Sequence, residues 1–167
     1  VDFEGLPVDQ KDNFVLFIQE LNDALLEQDP NASLSIDTPA VDWAGSFDFD
    51  QLAAEARLFV MGYDYHWRTG DPGPVAPLLG SDLWGAYAYD WTLDDYETYL
   101  PPYHLDRVIL GMPFYGYDWP SSGPGVPGTA TGDATARALV QAWALADAHG
   151  GGAWDPDSVT PYLTYYD

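Results

Sequence analysis

The sequence predicts an α/β fold in which parallel strands alternate with helices, and three observations support this prediction. Short apolar runs alternate with amphipathic segments along residues 1–113, which is typical of a parallel sheet with helical crossovers. Two runs, 57–63 and 107–113, are almost continuously apolar, as expected for strands buried on both faces. No Gly-x-Gly-x-x-Gly motif follows a strand, which disfavours a dinucleotide-binding fold. An open doubly wound sheet and a closed barrel remain as alternatives.

Each predicted element follows from a local pattern. Residues 1–4 alternate their faces as a strand, and Gly5 permits a sharp turn after it. One face of a helix predicted over 9–28 carries Phe14, Phe17, Ile18, Leu21 and Leu25. The remaining predictions up to residue 113 are a strand at 33–39, a loop at 40–47, a short helix at 50–56, a strand at 57–63, a long functional loop at 64–90, a helix at 93–100 and a strand at 107–113.

The helix at 93–100 is predicted to begin at a capping box, because Asp95 follows Thr92 by three residues. Two prolines at 101 and 102 end it. From residue 117 onward the composition changes. A Gly/Pro/Thr-rich linker is predicted over 121–132, an alanine-rich helix over 133–148 and a strand over 162–166.

Composition and charge limit the classes of partner. The chain has 167 residues, of which 47% are hydrophobic and 16% aromatic, so it can form a packed core. Its net charge is −22, from 27 acidic and 5 basic side chains. Such a surface repels nucleic acid and anionic membranes. The acids are spread along the chain, which favours a solvated surface over an acidic interaction tail.

Several features are absent from the sequence. It has no cysteine, so disulfides are excluded and the redox compartment stays undetermined. The three histidines lack metal-ligand spacing, and we expect neither a metal nor another cofactor. No apolar run is long enough to span a bilayer, so membrane insertion is not expected. No signal peptide is present, but the chain begins inside a predicted strand without an initiator methionine, so this does not argue against secretion.

Acids and aromatic rings follow the predicted strands at their carboxyl ends, where parallel α/β folds carry their sites. Rings stack on sugar faces, and carboxyl groups perform the acid chemistry of glycoside cleavage. We therefore predict a carbohydrate site. Its candidates are Asp2, Glu4, Thr38, Asp42, Trp43, Tyr63, Asp64, Tyr65, Phe114, Tyr115 and Trp119.

Asp2 and Glu4 point to the same side of the predicted strand, roughly 6.6 Å apart along the backbone. Two carboxyl groups this close do not both ionise freely, and the one that stays protonated can serve as a general acid. Asp-x-Glu is a common pattern, however. These residues alone favour an ordinary acidic segment.

Three motifs, in chain order, resemble those of glycoside hydrolase family 18, the chitinase-like enzymes. Residues 1–4 (Val-Asp-Phe-Glu) resemble the end of its Asp-x-x-Asp-x-Asp-x-Glu signature. Residues 61–64 (Met-Gly-Tyr-Asp) resemble its Met-x-Tyr-Asp on the sixth barrel strand, and 107–116 (Arg-Val-Ile-Leu-Gly-Met-Pro-Phe-Tyr-Gly) resemble its seventh strand. The Gly-Tyr-Asp-Trp run at 116–119 is similar to the bacterial branch of spore-associated and surface glycosidases.

This resemblance covers nearly the whole chain and implies a (β/α)8 TIM barrel. A complete barrel of this kind needs about 250 residues. The chain would hold a partial barrel, about strand four to strand seven, over 1–120 and the beginning of a small α+β insertion over 121–167. The upstream acids of the signature and the family's eighth-strand tryptophan would lie outside it.

The resemblance also implies roles for individual residues. Glu4 matches the general acid, Asp2 the carboxylate that orients the 2-acetamido group of the substrate, and Tyr63 the hydroxyl that binds the acetamido oxygen. That oxygen, rather than an enzyme carboxylate, attacks the sugar. The implied substrate-binding residues are Asp64, Tyr115 and Trp119, and Trp43 is a further candidate from its place in a loop. The arginine that usually follows Phe-Tyr-Gly is Tyr117 here.

The expected function is hydrolysis of β-1,4-linked N-acetylglucosamine polymers, either chitin or peptidoglycan, by a secreted or cell-surface protein of undetermined oligomeric state. A non-catalytic sugar-binding member of the same fold is the main alternative, and Glu4 argues against it. A structural or interaction domain with a functional acidic surface is a third hypothesis. Trp143 is predicted to lie in the core. For Trp67, Trp84 and Trp91, packing and sugar stacking are equally plausible.

Overall fold

The structure is a computed structural model that describes residues 1–123 and 125–166. Pro124 and Asp167, which fall in the predicted linker and insertion, lie outside the described residues. The chain divides into two compact units, the first Val1–Met61 with Leu93–Gly111 and the second Gly62–Thr92 with Met112–Asp167. The predicted domain boundary after residue 120 falls inside the second unit and stays a prediction.

The first unit contains a parallel three-stranded sheet in the order β1 (Ser35–Pro39), β2 (Arg57–Met61) and β3 (Val108–Gly111). This confirms the parallel pairing and order predicted for these strands. Ile36 lies opposite Leu58, and both are fully buried. The alternate residues of β2, such as Phe59, are only half-buried, so one face of the strand is covered more completely than the other.

Val1 lies beside β1 in a parallel bridge. Its amino group donates to the carbonyl oxygen of Ser35 at 2.7 Å, and the N–H of Asp37 donates to the Val1 carbonyl at 2.8 Å. Residues 1–4 are all described, and the structure assigns none of them to a strand. The strand predicted there is therefore present only as this one-residue bridge, because the chain leaves the ladder after Val1.

The helices of the first unit begin and end close to the predicted positions. Helix α1 (Lys11–Gln28) follows a 3₁₀ turn, Val8–Gln10, and buries Phe14, Val15 and Ile18. Helix α2 (Phe49–Glu55) begins where the Asp48 carboxylate accepts the N–H of Gln51. A second 3₁₀ segment, Pro102–Arg107, precedes β3. The core is aromatic: Phe14 meets Phe47 edge to face at 5.7 Å, and Phe49 lies 4.6 Å from Tyr96.

Helix α3 (Tyr89–Tyr99) begins earlier than the sequence predicts. Thr92 does not cap it, because its own N–H already bonds to the Ala88 carbonyl at 2.9 Å. The Thr92 side chain is fully buried, and its hydroxyl lies 2.7 Å from that of Tyr65. The capping-box prediction is therefore wrong, since a tertiary hydrogen bond uses the hydroxyl that the local pattern assigned to the cap.

Gly111 ends β3 at a position where no larger residue fits. A Cβ atom built there would lie 2.7 Å from Cε1 of Phe59 and 2.8 Å from the carbonyl oxygen of Val60. Real Cβ contacts are not this short, so glycine is needed for the close approach of β3 to β2.

The second unit holds the long loop and three small antiparallel strand pairs. Apart from a bridge between Ser81 and Gly85, residues 62–88 have no regular element. This confirms most of the loop predicted over 64–90, although the preceding strand ends at Met61 and the next helix begins at Tyr89. The paired strands are β4 (Tyr115–Asp118) with β7 (Thr135–Ala138), β5 (Ser121–Ser122) with β6 (Thr129–Ala130), and β8 (Ala153–Asp155) with β9 (Thr160–Tyr162).

Three predictions for this region are wrong. The predicted helix over 133–148 begins only at α4 (Leu139–Ala148), because the preceding residues pair with β4. The strand predicted at 162–166 lies at 160–162 instead. Trp143 is 62% exposed and does not lie in the core. None of the helices formed by residues 1–123 and 125–166 is long and apolar enough to span a bilayer.

Candidate active site

The predicted acids of the first unit lie directly after the Val1 bridge. Asp2 and Glu4 are both exposed, so solvent reaches both carboxyl groups. Tyr63 and Asp64 belong to the second unit. That these four residues share one rim stays a prediction.

The loop after β1 places Trp43 at the surface with 73% of the residue exposed. Asp42 organises this loop, because its carboxylate accepts the N–H groups of Ser46 at 3.1 Å and Phe47 at 2.9 Å. The indole thus stands on a turn held by hydrogen bonds, where a flat ring can contact a ligand.

Two further residues near β1 differ from the sequence-based expectation. Thr38 is fully buried, with its hydroxyl 2.8 Å from that of Tyr96, so it is a core residue. Asp95, which was predicted to cap a helix, is half-buried instead. Burial, and then the charge of Asp42, raise the pKa of Asp95. No local sequence pattern connects Asp95 with Asp42.

Four aromatic rings form a continuous row in the second unit. Tyr63 meets Tyr115 at a centroid distance of 6.1 Å, Tyr115 meets Tyr117 at 5.6 Å, and Tyr117 meets Trp119 at 5.4 Å, each edge to face. Residues two apart on an extended strand project from the same face, which explains the alignment of the last three rings. We call Tyr63, Tyr115, Tyr117 and Trp119 the ring row. Tyr117 was not predicted as a member, although its alternation with Tyr115 and Trp119 was visible.

Asp64 ties the ring row together through its carboxylate. Tyr115 donates a hydrogen bond to Oδ1 at 2.5 Å, and Tyr117 donates one to Oδ2 at 3.1 Å. Burial raises the pKa of both tyrosines, and the neighbouring Asp64 raises it further. Both hydroxyls therefore stay protonated hydrogen-bond donors at neutral pH. Tyr117 also places a polar group here.

The backbone of Asp64 is in the left-handed region, with φ of 59°. This conformation is uncommon for residues other than glycine, and aspartate tolerates it better than most. Strained backbone of this kind clusters at functional sites, where surrounding bonds hold it in place. The two tyrosine hydroxyls supply such bonds at Asp64.

Trp119 is oriented by the long loop. Its indole N–H donates to the carbonyl oxygen of Gly70 at 3.1 Å, and the residue is half-buried. One edge of the ring is therefore fixed, while part of the side chain remains available to a ligand.

A buried carboxylate anchors the same loop to the β8–β9 hairpin. Asp155 accepts the indole N–H of Trp84 at 2.6 Å, and it also accepts the backbone N–H and the hydroxyl of Ser158. Burial alone would raise the pKa of Asp155, but these bonds and the N–H of Asp157 outweigh it and hold that pKa below its ordinary value. Trp84 is thus a packing residue. The backbone N–H of Leu78 adds a bond to the Ser158 carbonyl at 2.9 Å.

The other two undecided tryptophans lie in the same unit. Trp91 meets Tyr87 edge to face at 4.8 Å and is half-buried. Trp67 is exposed, and its indole packs on Gly70. Gly70 therefore contacts both tryptophans, because Trp67 packs on it and its own carbonyl oxygen accepts the indole N–H of Trp119.

An ion pair reinforces β4 against β7. Nε and Nη2 of Arg137 both lie within 3.0 Å of Oδ2 of Asp118, and Tyr165 donates to the same oxygen at 2.7 Å. The bond to Asp118 raises the pKa of Arg137. This cluster stabilises the strand pair next to the ring row.

The first unit is an α/β fold with a parallel sheet, and the ring row gives the second unit an aromatic and acidic surface of the kind that suits sugars. The sequence model of the family described as glycosyl hydrolases family 18 matches residues 1–167, and the chain belongs to that family.

One similar protein is YdhD from Bacillus subtilis (strain 168), which carries the provisional name sporulation-specific glycosylase. The two are 31% identical over 125 residues, which is 71% of this chain and 27% of YdhD. The chain thus spans about a quarter of this curated relative. The crystal structure of YdhD matches 96% of the chain and 50% of the solved chain, with a TM-score of 0.76 and 26% identity.

Two other solved structures share the fold at lower identity. Group IV chitinase of Ostrinia furnacalis, in complex with allosamidin, matches 97% of this chain and 50% of its own, with a TM-score of 0.82 and 20% identity. The spore cortex-lytic enzyme SleL of Bacillus cereus matches 99% of this chain and 35% of its own, with a TM-score of 0.76 and 20% identity.

Proposed function

We propose that this chain acts within a glycoside hydrolase that cleaves β-1,4-linked N-acetylglucosamine polymers, either chitin or peptidoglycan glycan strands. Family 18 membership over residues 1–167 supports the reaction class. The names of similar proteins, which include a glycosylase, a chitinase and a spore cortex-lytic enzyme, support the substrate class.

The observation that carries this proposal is the pairing of Asp64 with two tyrosine hydroxyls beside the ring row. Aromatic rings offer flat apolar faces for sugar rings. Protonated hydroxyls and a carboxylate offer the donors and acceptor that a sugar's hydroxyl and acetamido groups need. The second unit thus combines both kinds of contact in one place.

The proposed mechanism is substrate-assisted and retains the anomeric configuration. Glu4 donates its proton to the glycosidic oxygen. At the same time, the acetamido oxygen of the sugar just before the cut attacks the anomeric carbon of that sugar. Asp2 accepts the acetamido N–H, and Tyr63 holds the attacking oxygen in a near-attack geometry. The glycosidic bond breaks with its electron pair going to the protonated leaving group. Glu4 then accepts a proton from the water that opens the oxazolinium ring.

Finer features of the fold belong to the same proposal. The sheet order β1-β2-β3 is consistent with successive strands of a barrel, and we assign Val1 and these strands to about strands four to seven. Residues 121–167 would begin an α+β insertion. We also propose that the protein works outside the cell or at its surface, where polymers of this kind are found.

The proposal is tested with the full-length protein on a fluorogenic chitooligosaccharide. Hydrolysis that is lost in the Glu4→Gln variant supports a glycosidase. Tight sugar binding without turnover in the unmodified protein would instead show the non-catalytic sugar-binding member of the fold.

A further inference from the structure

The charge around the ring row is strongly one-sided. Among the residues that the structure describes, the second unit has two arginines, Arg68 and Arg137, and no lysine. The chain's single lysine, Lys11, belongs to the first unit. The whole sequence contains 27 acidic and 5 basic side chains. A ligand that approaches the ring row therefore meets a negative potential.

Both arginines of the second unit are already engaged by aspartates. Arg137 is held by Asp118, with Nη2 at 2.9 Å from Oδ2. Nη2 of Arg68 lies 3.3 Å from Oδ2 of Asp133. A carboxylate on an incoming glycan would have to compete with Asp118 or Asp133 for an arginine.

Arg68 and Arg137 both lie beside the ring row. Arg137 pairs with Asp118, which stands between Tyr117 and Trp119, and Arg68 comes two residues before Gly70, whose carbonyl holds Trp119. Two further acids border the row: Asp64 bonds its hydroxyls, and Asp71 directly follows Gly70. Both nearby cations are thus paired with aspartates, whereas Asp64 and Asp71 are exposed.

We propose that this site selects its glycan by charge, so that it takes neutral and amine-bearing N-acetylglucosamine polymers and discriminates against carboxylate-bearing ones. This inference rests on the proposed function and specifies its substrate class. Partly deacetylated chitin fits best, because free amines are attracted to the acidic surface while the remaining acetamido groups supply the nucleophile. Peptidoglycan strands, whose lactyl and peptide groups carry carboxylates, are disfavoured.

The test compares three soluble polymers with one backbone: glycol chitin, partly deacetylated chitin and carboxymethyl chitin. The full-length protein is assayed in low salt and in 1 M salt, where the Debye length falls to about 3 Å. We expect kcat/KM in low salt to be about tenfold or more higher for the amine polymer than for the carboxymethyl polymer. High salt should lower the first value, raise the second and leave glycol chitin nearly unchanged.

Binding of the same polymers to the Glu4→Gln variant separates this inference from the proposed function. If no polymer is hydrolysed by the unmodified protein, the proposed hydrolase is wrong, yet the order of binding still decides the charge selection. Equal binding and equal salt response of the amine and carboxymethyl polymers would overturn the inference even in an active enzyme.

A matched pair of variants tests the role assigned to Arg68. Asp133→Asn releases Arg68, and we expect the carboxymethyl polymer to gain roughly two- to fivefold in kcat/KM relative to glycol chitin. Asp147→Asn removes the same charge from an exposed position on α4 and should change this ratio less. An equal gain in both variants would show that the Arg68–Asp133 pair does not control the selection.

Discussion

The hydroxyl of Tyr115 donates a 2.5 Å hydrogen bond to Oδ1 of Asp64, across 51 residues of sequence. Asp64 follows β2, and Tyr115 begins β4. This bond therefore joins two segments that are distant in sequence. It also fixes the carboxylate of a residue whose backbone is in the left-handed region.

Asp64→Asn should lower kcat/KM on chitooligosaccharides by about tenfold to a hundredfold while the fold persists. Asparagine tolerates the left-handed backbone, but it loses the charge that strengthens both tyrosine bonds, and hydrogen bonds to charged groups contribute about 1.5–3 kcal/mol. Steady-state kinetics and a thermal melt measure the two effects. Asp82→Asn, at an exposed aspartate of the same loop, is the control. Equal losses in both variants would contradict a special role for Asp64.

Glu4→Gln should reduce kcat by about 10²–10⁴-fold with little change in substrate affinity, because the amide keeps the shape of the side chain but cannot donate the proton. Single-turnover kinetics and sugar binding to the full-length variant separate chemistry from affinity. Asp12→Asn, an exposed residue of α1, should leave both unchanged. Full activity of Glu4→Gln would end the assignment of Glu4 as the general acid.

Substrate assistance predicts that cello-oligosaccharides are inert, since plain glucose units lack the acetamido nucleophile however well they stack on the ring row. A thiazoline analogue of the cyclised intermediate should inhibit strongly, because it mimics the charge distribution that the site stabilises. Rates on matched chito- and cello-oligosaccharides, with and without the thiazoline, provide the measurement. Comparable cleavage of the cello series would falsify the mechanism.

Tyr63→Phe should lower kcat more than it raises KM. The ring keeps its place beside Tyr115, but the hydroxyl that would hold the attacking acetamido oxygen is gone. Tyr99→Phe, at an exposed position on α3, serves as the control. A rise in KM alone would show that Tyr63 binds the substrate and the transition state equally well.

Acid should destabilise the protein in part through Asp155. Its pKa in the fold is below the ordinary 3.8, so its stabilising contribution is fully present above that pH and is lost as the pH falls through the lower folded value. Asp155→Asn should therefore lower Tm at pH 7 by roughly 3–10 °C and flatten the decline of Tm below about pH 4. Asp157→Asn, its exposed neighbour, should melt like the unmodified protein. A parallel decline of Tm with pH in both variants would contradict this role.

The sequence predicted those elements that local patterns determine. Continuous apolar runs located β2 and β3, and helical periodicity located α1. Local patterns failed where a distant partner decides the structure. The hydroxyl of Thr92 bonds to Tyr65 rather than to a helix end, and the alanine-rich segment before Leu139 pairs with β4 instead of extending the helix.

In the candidate site, too, local patterns predicted some features and missed those that depend on distant partners. The motif positions of Tyr63 and Asp64 were clear from the sequence, as was the aromatic character of residues 115–119. That both oxygens of one carboxylate would be bonded by Tyr115 and Tyr117 depends on a contact over more than fifty residues, which no local pattern contains. The roles of these residues towards a substrate remain predictions.

Gly111 and Phe59 compete for the same volume, because the Phe59 ring occupies the space that a side chain at 111 would need. A smaller residue at 59 would relieve only part of this conflict, because the Val60 carbonyl oxygen lies 2.8 Å from the place that a Cβ atom at 111 would take. Position 111 is therefore expected to stay glycine during evolution even when the residue at 59 changes. In an engineered library of this chain, variants at 111 should be rare whether the side chain at 59 is large or small.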